Sequence, residues 1–163
     1  MEMSGQSTLA ATREEVWAAL NDPEILRQAI PGCETLERTA ADEFAATVVL
    51  KVGPIKAKFL GRVTLSDIKP PEGYTITGQG QGGVAGFAEG GATVRLEAVD
   101  AARTILHYDV RARVGGKIAQ LGARLIDSTA KKLAGQFFDK FGELVGNGPE
   151  QSGENPASSR TAV

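Results

Sequence analysis

The hydrophobic period changes once along this chain, and that change bounds what it can fold into. Between Phe44 and Val114 apolar residues recur mainly at every second position, whereas from Lys117 to Val145 they recur at every third and fourth. Strand side chains alternate between two faces, while helix side chains meet three and four residues apart. The clearest alternation sets Ile55, Ala57, Phe59, Gly61, Val63 and Leu65 against Lys56, Lys58, Leu60, Arg62 and Thr64. One apolar face and one mostly polar face mark a half-buried antiparallel strand. Weaker versions run over 44–52, 74–82, 94–98 and 104–114, with turn signals at Gly53-Pro54 and Pro70-Pro71-Glu72-Gly73. The later period predicts one amphipathic helix over 117–145, up to ~43 Å long at 1.5 Å per residue.

The N-terminal part supplies the remaining elements. Residues 2–10 are expected to form a first strand. Thr12-Arg13-Glu14-Glu15 is a capping box ahead of Val16, Trp17, Ala19 and Leu20. Pro23 stops that helix, suits the start of a second short one over 24–29, and Pro31-Gly32 ends it. Strands grouped together with helices outside them give an α+β fold with an antiparallel sheet. One long helix covers a six- to seven-stranded sheet only if the sheet curls around it. Such a grip leaves a space, and small residues at Gly78, Gly80, Gly82, Gly83, Ala85 and Gly86 would not fill it. The expected domain is 1–146; residues 147–163, rich in Gly, Pro, Ser and Asn, are expected to be a disordered polar tail.

Composition removes several functional classes. A chain of 163 residues suits one domain that needs no disulfide or metal staple. A net charge of −2 argues against a nucleic-acid partner. One cysteine, Cys33, excludes an internal disulfide and fits a reducing compartment. The N-terminus lacks the basic and apolar regions of a secretory signal, and no run is long and apolar enough for a membrane span.

No catalytic constellation emerges. The single histidine, His107, alternates with Asp109, Arg111 and Arg113 on the polar face, so a surface role outweighs general-base chemistry. Cys33 has no electropositive neighbours in sequence and reads as inert. The glycines of 78–91 lack the Gly-Lys-Ser/Thr of a phosphate loop; sheet curvature and ligand access are both compatible with them. No metal site is expected. Trp17, Phe44, Phe59, Tyr74, Phe87, Leu121, Leu125 and Ile126 are the candidate pocket lining, weighed against plain core packing. Glu89 and Arg95 are candidate polar contacts. Lys51, Lys56, Lys58 and Arg62 form a basic group, either a solvated face or a surface for anionic lipid or an acidic partner. The space itself is expected between Leu121, Leu125, Ile126 and the strands near Gly80.

The element order resembles the helix-grip fold of the START/SRPBCC superfamily. Its details resemble the CoxG family of aerobic carbon monoxide dehydrogenase subunits. The carrying residues are Pro31-Gly32-Cys33, Gly53-Pro54-Ile55 with Phe59-Leu60-Gly61, the stretch Gly78-Gln79-Gly80-Gln81-Gly82-Gly83, and the run from Gly115 to Ile126, with Phe137-Phe138 behind it. The resemblance covers roughly residues 1–146 and rests on the order and spacing of these motifs together. It implies a non-enzymatic, cytoplasmic accessory protein of a molybdenum hydroxylase system. Such a protein would recruit or couple the dehydrogenase at the inner face of the cell membrane and hold a quinone or other lipophilic molecule in its cavity. Longer members carry an apolar C-terminal segment, and the polar tail here departs from that pattern. An adaptor with no ligand, a lipid carrier and a cyclase-like enzyme are the alternatives within the superfamily.

Overall fold

The computed structural model describes residues 1–146. Their order is β1 (Glu2–Leu9), α1 (Arg13–Leu20), α2 (Pro23–Ala29), β2 (Cys33–Ala40), β3 (Glu43–Val52), β4 (Ile55–Lys69), β5 (Gly73–Gln81), β6 (Phe87–Asp100), β7 (Arg103–Gly115) and α3 (Ala123–Gly146), with short 3-10 turns at Gly83–Ala85 and Lys117–Leu121. The strands form one antiparallel sheet in the order β1-β7-β6-β5-β4-β3-β2. This is the expected curved antiparallel sheet around a long C-terminal helix. The expected tail lies outside the described residues.

Local sequence explains the helix starts. The Thr12 hydroxyl accepts from the amide of Glu15 at 3.1 Å, and the Glu15 carboxylate accepts from the amide of Thr12 at 2.8 Å, closing the capping box. Asp22 caps α2, whose first residue is Pro23, where a missing N–H costs nothing.

Three expectations change. The strand β2 went unseen in the sequence because it is an edge: Leu36 is its one partly buried large apolar residue, so no alternation is visible. The strand β6 begins at Phe87, well before Val94, and carries Gly90 and Gly91 within the ladder. The C-terminal helix is not continuous from 117: Gly122 adopts φ +97, a conformation that L residues rarely take, and separates the 3-10 turn from α3. The 24 residues of α3 span ~36 Å.

Two apolar clusters hold the elements together. The larger joins Leu9, Val16, Leu20, Phe44, Leu106 and Phe141 with Tyr74 and Leu96, tying α1 and the end of α3 to the sheet. The smaller joins Val52, Phe59, Ala85 and Ile118 at the opposite end. Each fully buried large side chain contributes about 1.5–3 kcal/mol relative to exposure. Between α1 and β7, the fully buried Thr104 hydroxyl donates to the carbonyl of Ala11 at 2.8 Å. Thr104→Val keeps the shape but strands that carbonyl. A loss of about 1–3 kcal/mol is expected in urea denaturation, whereas Thr104→Ser should recover most of it.

Candidate functional site

Register decides which side chains face the helix. On β3, Phe44, Val48, Leu50 and Val52 point inward, and their partners on β4 are Val63, Phe59, Ala57 and Ile55. Further round the sheet, Gly61 pairs with Gly80, and Gly80 with Ala88. These positions bring almost no side-chain volume to the inner face. The helix cannot reach the sheet there, and two apolar chambers remain between them.

The inner chamber, about 300 Å³, is bounded by Phe44, Tyr74, Leu106, Tyr108, Phe137 and Phe138 among others. The outer chamber, about 400 Å³, is bounded by Val48, Phe59, Gly80, Ile118, Ile126 and Leu133 among others. Ile30, just after α2, lines both, so the chambers adjoin at that residue. Aromatic contacts fix the inner wall. The Tyr108 ring stacks on Phe138 with centroids 5.1 Å apart, and Phe138 meets Phe137 edge-on at 5.0 Å. A side chain on Gly5 would collide with the Tyr108 hydroxyl, so that glycine is what lets the Tyr108 ring lie flat along β1.

Polar groups on these walls are few. The Tyr74 hydroxyl points to the carbonyl of Leu20 at 3.5 Å, and burial pushes its pKa up, so it stays neutral. Thr129 of α3 brings a hydroxyl to the outer chamber. Walls of this kind suit an apolar molecule held by few polar contacts.

The eight expected lining residues separate into groups. Phe44 and Tyr74 line the inner chamber, and Phe59 and Ile126 the outer one. Leu125 lies on a cleft beside the outer chamber, against the Gly53 turn. Trp17 stands behind the wall, tilted on Tyr74 with centroids 5.4 Å apart, and Leu121 packs with the smaller apolar cluster. Phe87 lies on the opposite face of the sheet: it pairs with Gln81 and Gly115, and the Arg113 guanidinium sits 5.4 Å above its ring. Phe87 lies on the same strand as Ala88 and Val94 and an odd number of positions from each, so simple alternation turns it to the other face. Glu89 and Arg95 are in the same outward phase, and Glu89 accepts from Arg113 at 2.6 Å, so neither is a contact inside the cavity. Ile30, Thr129, Ala134, Phe137 and Phe138 were not in the expected lining. The signal for the last four was the stripe of positions 126, 129, 130, 133, 134, 137 and 138, which share one face of α3.

The other candidates are surface features. Nε2 of His107 lies 2.8 Å from Oε1 of Glu97 on the outer face. The Cys33 thiol donates to the carbonyl of Thr35 at 3.3 Å, and burial raises its pKa in spite of the nearby Arg27. Both effects keep it protonated and unreactive. In the basic group, Lys58 pairs with Glu34 at 3.3 Å and Arg62 with Glu43 at 3.2 Å, while Lys51 and Lys56 face each other across the β3–β4 hairpin. Among the described residues no cluster of three His, Cys, Asp or Glu side chains is arranged to hold a metal ion. Among them too, no helix is long and apolar enough to cross a membrane.

Comparison with known proteins places this geometry. The family of carbon monoxide dehydrogenase subunits named CoxG matches residues 5–146. Among curated proteins no match was found. A conserved protein from Geobacillus kaustophilus is similar in structure at 34% identity and TM-score 0.85, over 90% of this chain and 96% of that one. A START superfamily protein from Mycobacterium smegmatis is similar at 14% identity and TM-score 0.69, over 90% and 97% of the two chains. The Zhui aromatase/cyclase from Streptomyces sp. R1128 shares the fold at 16% identity and TM-score 0.62, over 89% and 93%.

Proposed function

We propose a function from one established premise, that this chain belongs to the CoxG family of carbon monoxide dehydrogenase subunits: it is a non-enzymatic accessory protein that holds a lipophilic molecule for a dehydrogenase. The observation that carries the reading is the pair of adjoining apolar chambers, which the sheet and α3 enclose without filling. Leaving apolar walls unpacked forgoes contact energy, so a fold keeps such a space at a cost unless something occupies it.

The partner on this reading is a molybdenum hydroxylase-type dehydrogenase. The ligand is a quinone or a molecule of similar lipophilicity, taken up at the inner face of the cell membrane through peripheral contact. Lys51 and Lys56, side by side and outside any ion pair among the described residues, suit an anionic surface. A cyclase-like activity would need several polar side chains converging inside the cavity. The wall offers the hydroxyls of Thr129 and Tyr108, in different chambers, and a Tyr74 hydroxyl already directed at a backbone carbonyl.

The test is to purify the protein from its own host under non-denaturing conditions and weigh it by native mass spectrometry, with organic extraction of a parallel sample. A bound lipophilic species at one per chain, of quinone type in the extract, is the expected result. A chain at its bare mass with an empty extract overturns the carrier. In that case capture of the dehydrogenase by the same protein would leave recruitment alone as its role.

A further inference from the structure

The sheet does not close against the helix on every side. The edge strand β2 pairs with β3 only as far as Val48, opposite Cys33, and one further bond joins the Val49 amide to the carbonyl of Gly32 at 2.9 Å. Beyond it, residues 50–52 of β3 have β4 on one side and no strand on the other. In an antiparallel ladder, alternate residues direct their amide groups to the same side. The N–H and C=O of Lys51 therefore point the same way as those of Val49, into an open cleft. Across the cleft lies α3, which presents Leu125, Ser128, Thr129, Lys132 and Leu133.

This cleft is the outer side of a chamber wall. Pro31, Leu50, Thr129 and Leu133 line both the cleft and the outer chamber. The chemistry changes across those four residues. Inside, the surface is apolar; outside, Lys51, Lys132, Ser128 and Gln136 border the cleft, and no carboxylate does. Neither lysine is in an ion pair among the described residues. Ser128 uses its hydroxyl on the carbonyl of Leu125 at 3.0 Å. Thr129, at the threshold, makes no side-chain hydrogen bond to protein among the described residues, although a threonine within a helix can bond back to the preceding turn.

We propose that this cleft is the headgroup site of the cavity. It takes an amphiphile whose head carries hydrogen-bond acceptors, held by the Thr129 hydroxyl, the Lys51 amide and the Lys132 ammonium. The hydrocarbon chain runs inward through the outer chamber and past Ile30 into the inner one. The inference rests on the carrier reading and adds an orientation to it. The head lies at the surface between β3 and α3, where a partner can reach it, and the chain is the buried part. Quinone carbonyls and a carboxylate share this acceptor chemistry.

Three ten- to twelve-carbon probes separate the possibilities: a decyl-substituted benzoquinone, decanoate, and dodecylbenzene, which has a ring but no acceptor. Each is titrated into the full chain and into the Thr129→Val/Lys132→Met variant, with binding followed by native mass spectrometry. Both substitutions preserve side-chain bulk at half-buried or exposed helix positions, and the melting temperature checks the fold. The variant is expected to bind one or both acceptor-headed probes about tenfold more weakly, as loss of hydroxyl and charged donors implies. Dodecylbenzene should bind both proteins alike. A loss confined to decanoate assigns the site to an anionic head; a loss that includes the benzoquinone assigns it to neutral acceptors. Equal affinity of variant and parent for both acceptor-headed probes overturns the headgroup site while leaving the carrier intact. Failure of all three probes to bind the parent overturns both.

Discussion

Gly80→Phe should leave the protein folded and abolish most of its affinity for a lipophilic ligand. Gly80 sits on the inner face of β5, between Gly61 of β4 and Ala88 of β6, and lines the outer chamber. A Cβ built there meets nothing nearer than the carbonyl of Leu60 at 3.9 Å, which is ordinary contact. Its φ is not in the left-handed region, so the backbone accepts a side chain, and phenylalanine favours a strand where glycine weakens one. The ring must then point into the chamber. If it displaces about nine ligand atoms worth roughly 0.3 kcal/mol each, the loss is ~2.7 kcal/mol, or about a hundredfold in affinity. The measurement is a paired titration with the decyl-substituted benzoquinone and a thermal melt, with Gly80→Ala as the control that adds a methyl group only. Near-parental affinity in a well-folded Gly80→Phe protein would place the ligand elsewhere. Capture of the dehydrogenase should survive the substitution. If electron transfer survives as well, the space is incidental and the protein is an adaptor.

The sequence carried the fold further than the site, for a physical reason. Alternation and the three-four period report which face of an element is apolar, and β4 and α3 show this most plainly. An edge strand buries too little for its pattern to appear, so β2 was invisible. The periodicity also ran through Gly122, because apolar residues on both sides face the same interior even though the backbone breaks there. The cavity walls were harder still. Bulk and apolarity made Phe87 a candidate, but it shares the odd-numbered phase of Glu89 and Arg95, which alternation turns to the outer face. Trp17 and Leu121 are on the apolar side but stand behind the wall, a distinction set by packing depth. The cleft beside Thr129 depends on where β2 stops pairing with β3, a long-range fact with no local signature.

Phe141→Ala should be the most destabilising simple truncation in α3, and its comparison with Phe138→Ala tests whether the chamber is real space. Phe141 is fully buried and stacks on Phe137 with ring centroids 5.3 Å apart and planes at 15°. It belongs to the larger core cluster with Leu9, Val16 and Leu106, and lines neither chamber. Its removal opens a new cavity among packed neighbours, which costs about 3–5 kcal/mol. For a domain of this size each kcal/mol lowers the midpoint by about 2–4 °C, so a drop of roughly 6–20 °C is expected. Phe138 is one turn nearer the middle of the helix, half-buried, and already borders the inner chamber. Its removal enlarges existing space and sacrifices the stack on Tyr108 and the edge contact with Phe137, without opening a new cavity in the packed core, so the stability loss should be clearly smaller. Its effect should appear in binding, where the aromatic wall is lost. Equal destabilisation by the two substitutions in urea titrations would mean that the chain packs tightly around Phe138 in solution. The inner chamber would then be core, and the length of ligand chain the protein can hold would shorten to what the outer chamber admits.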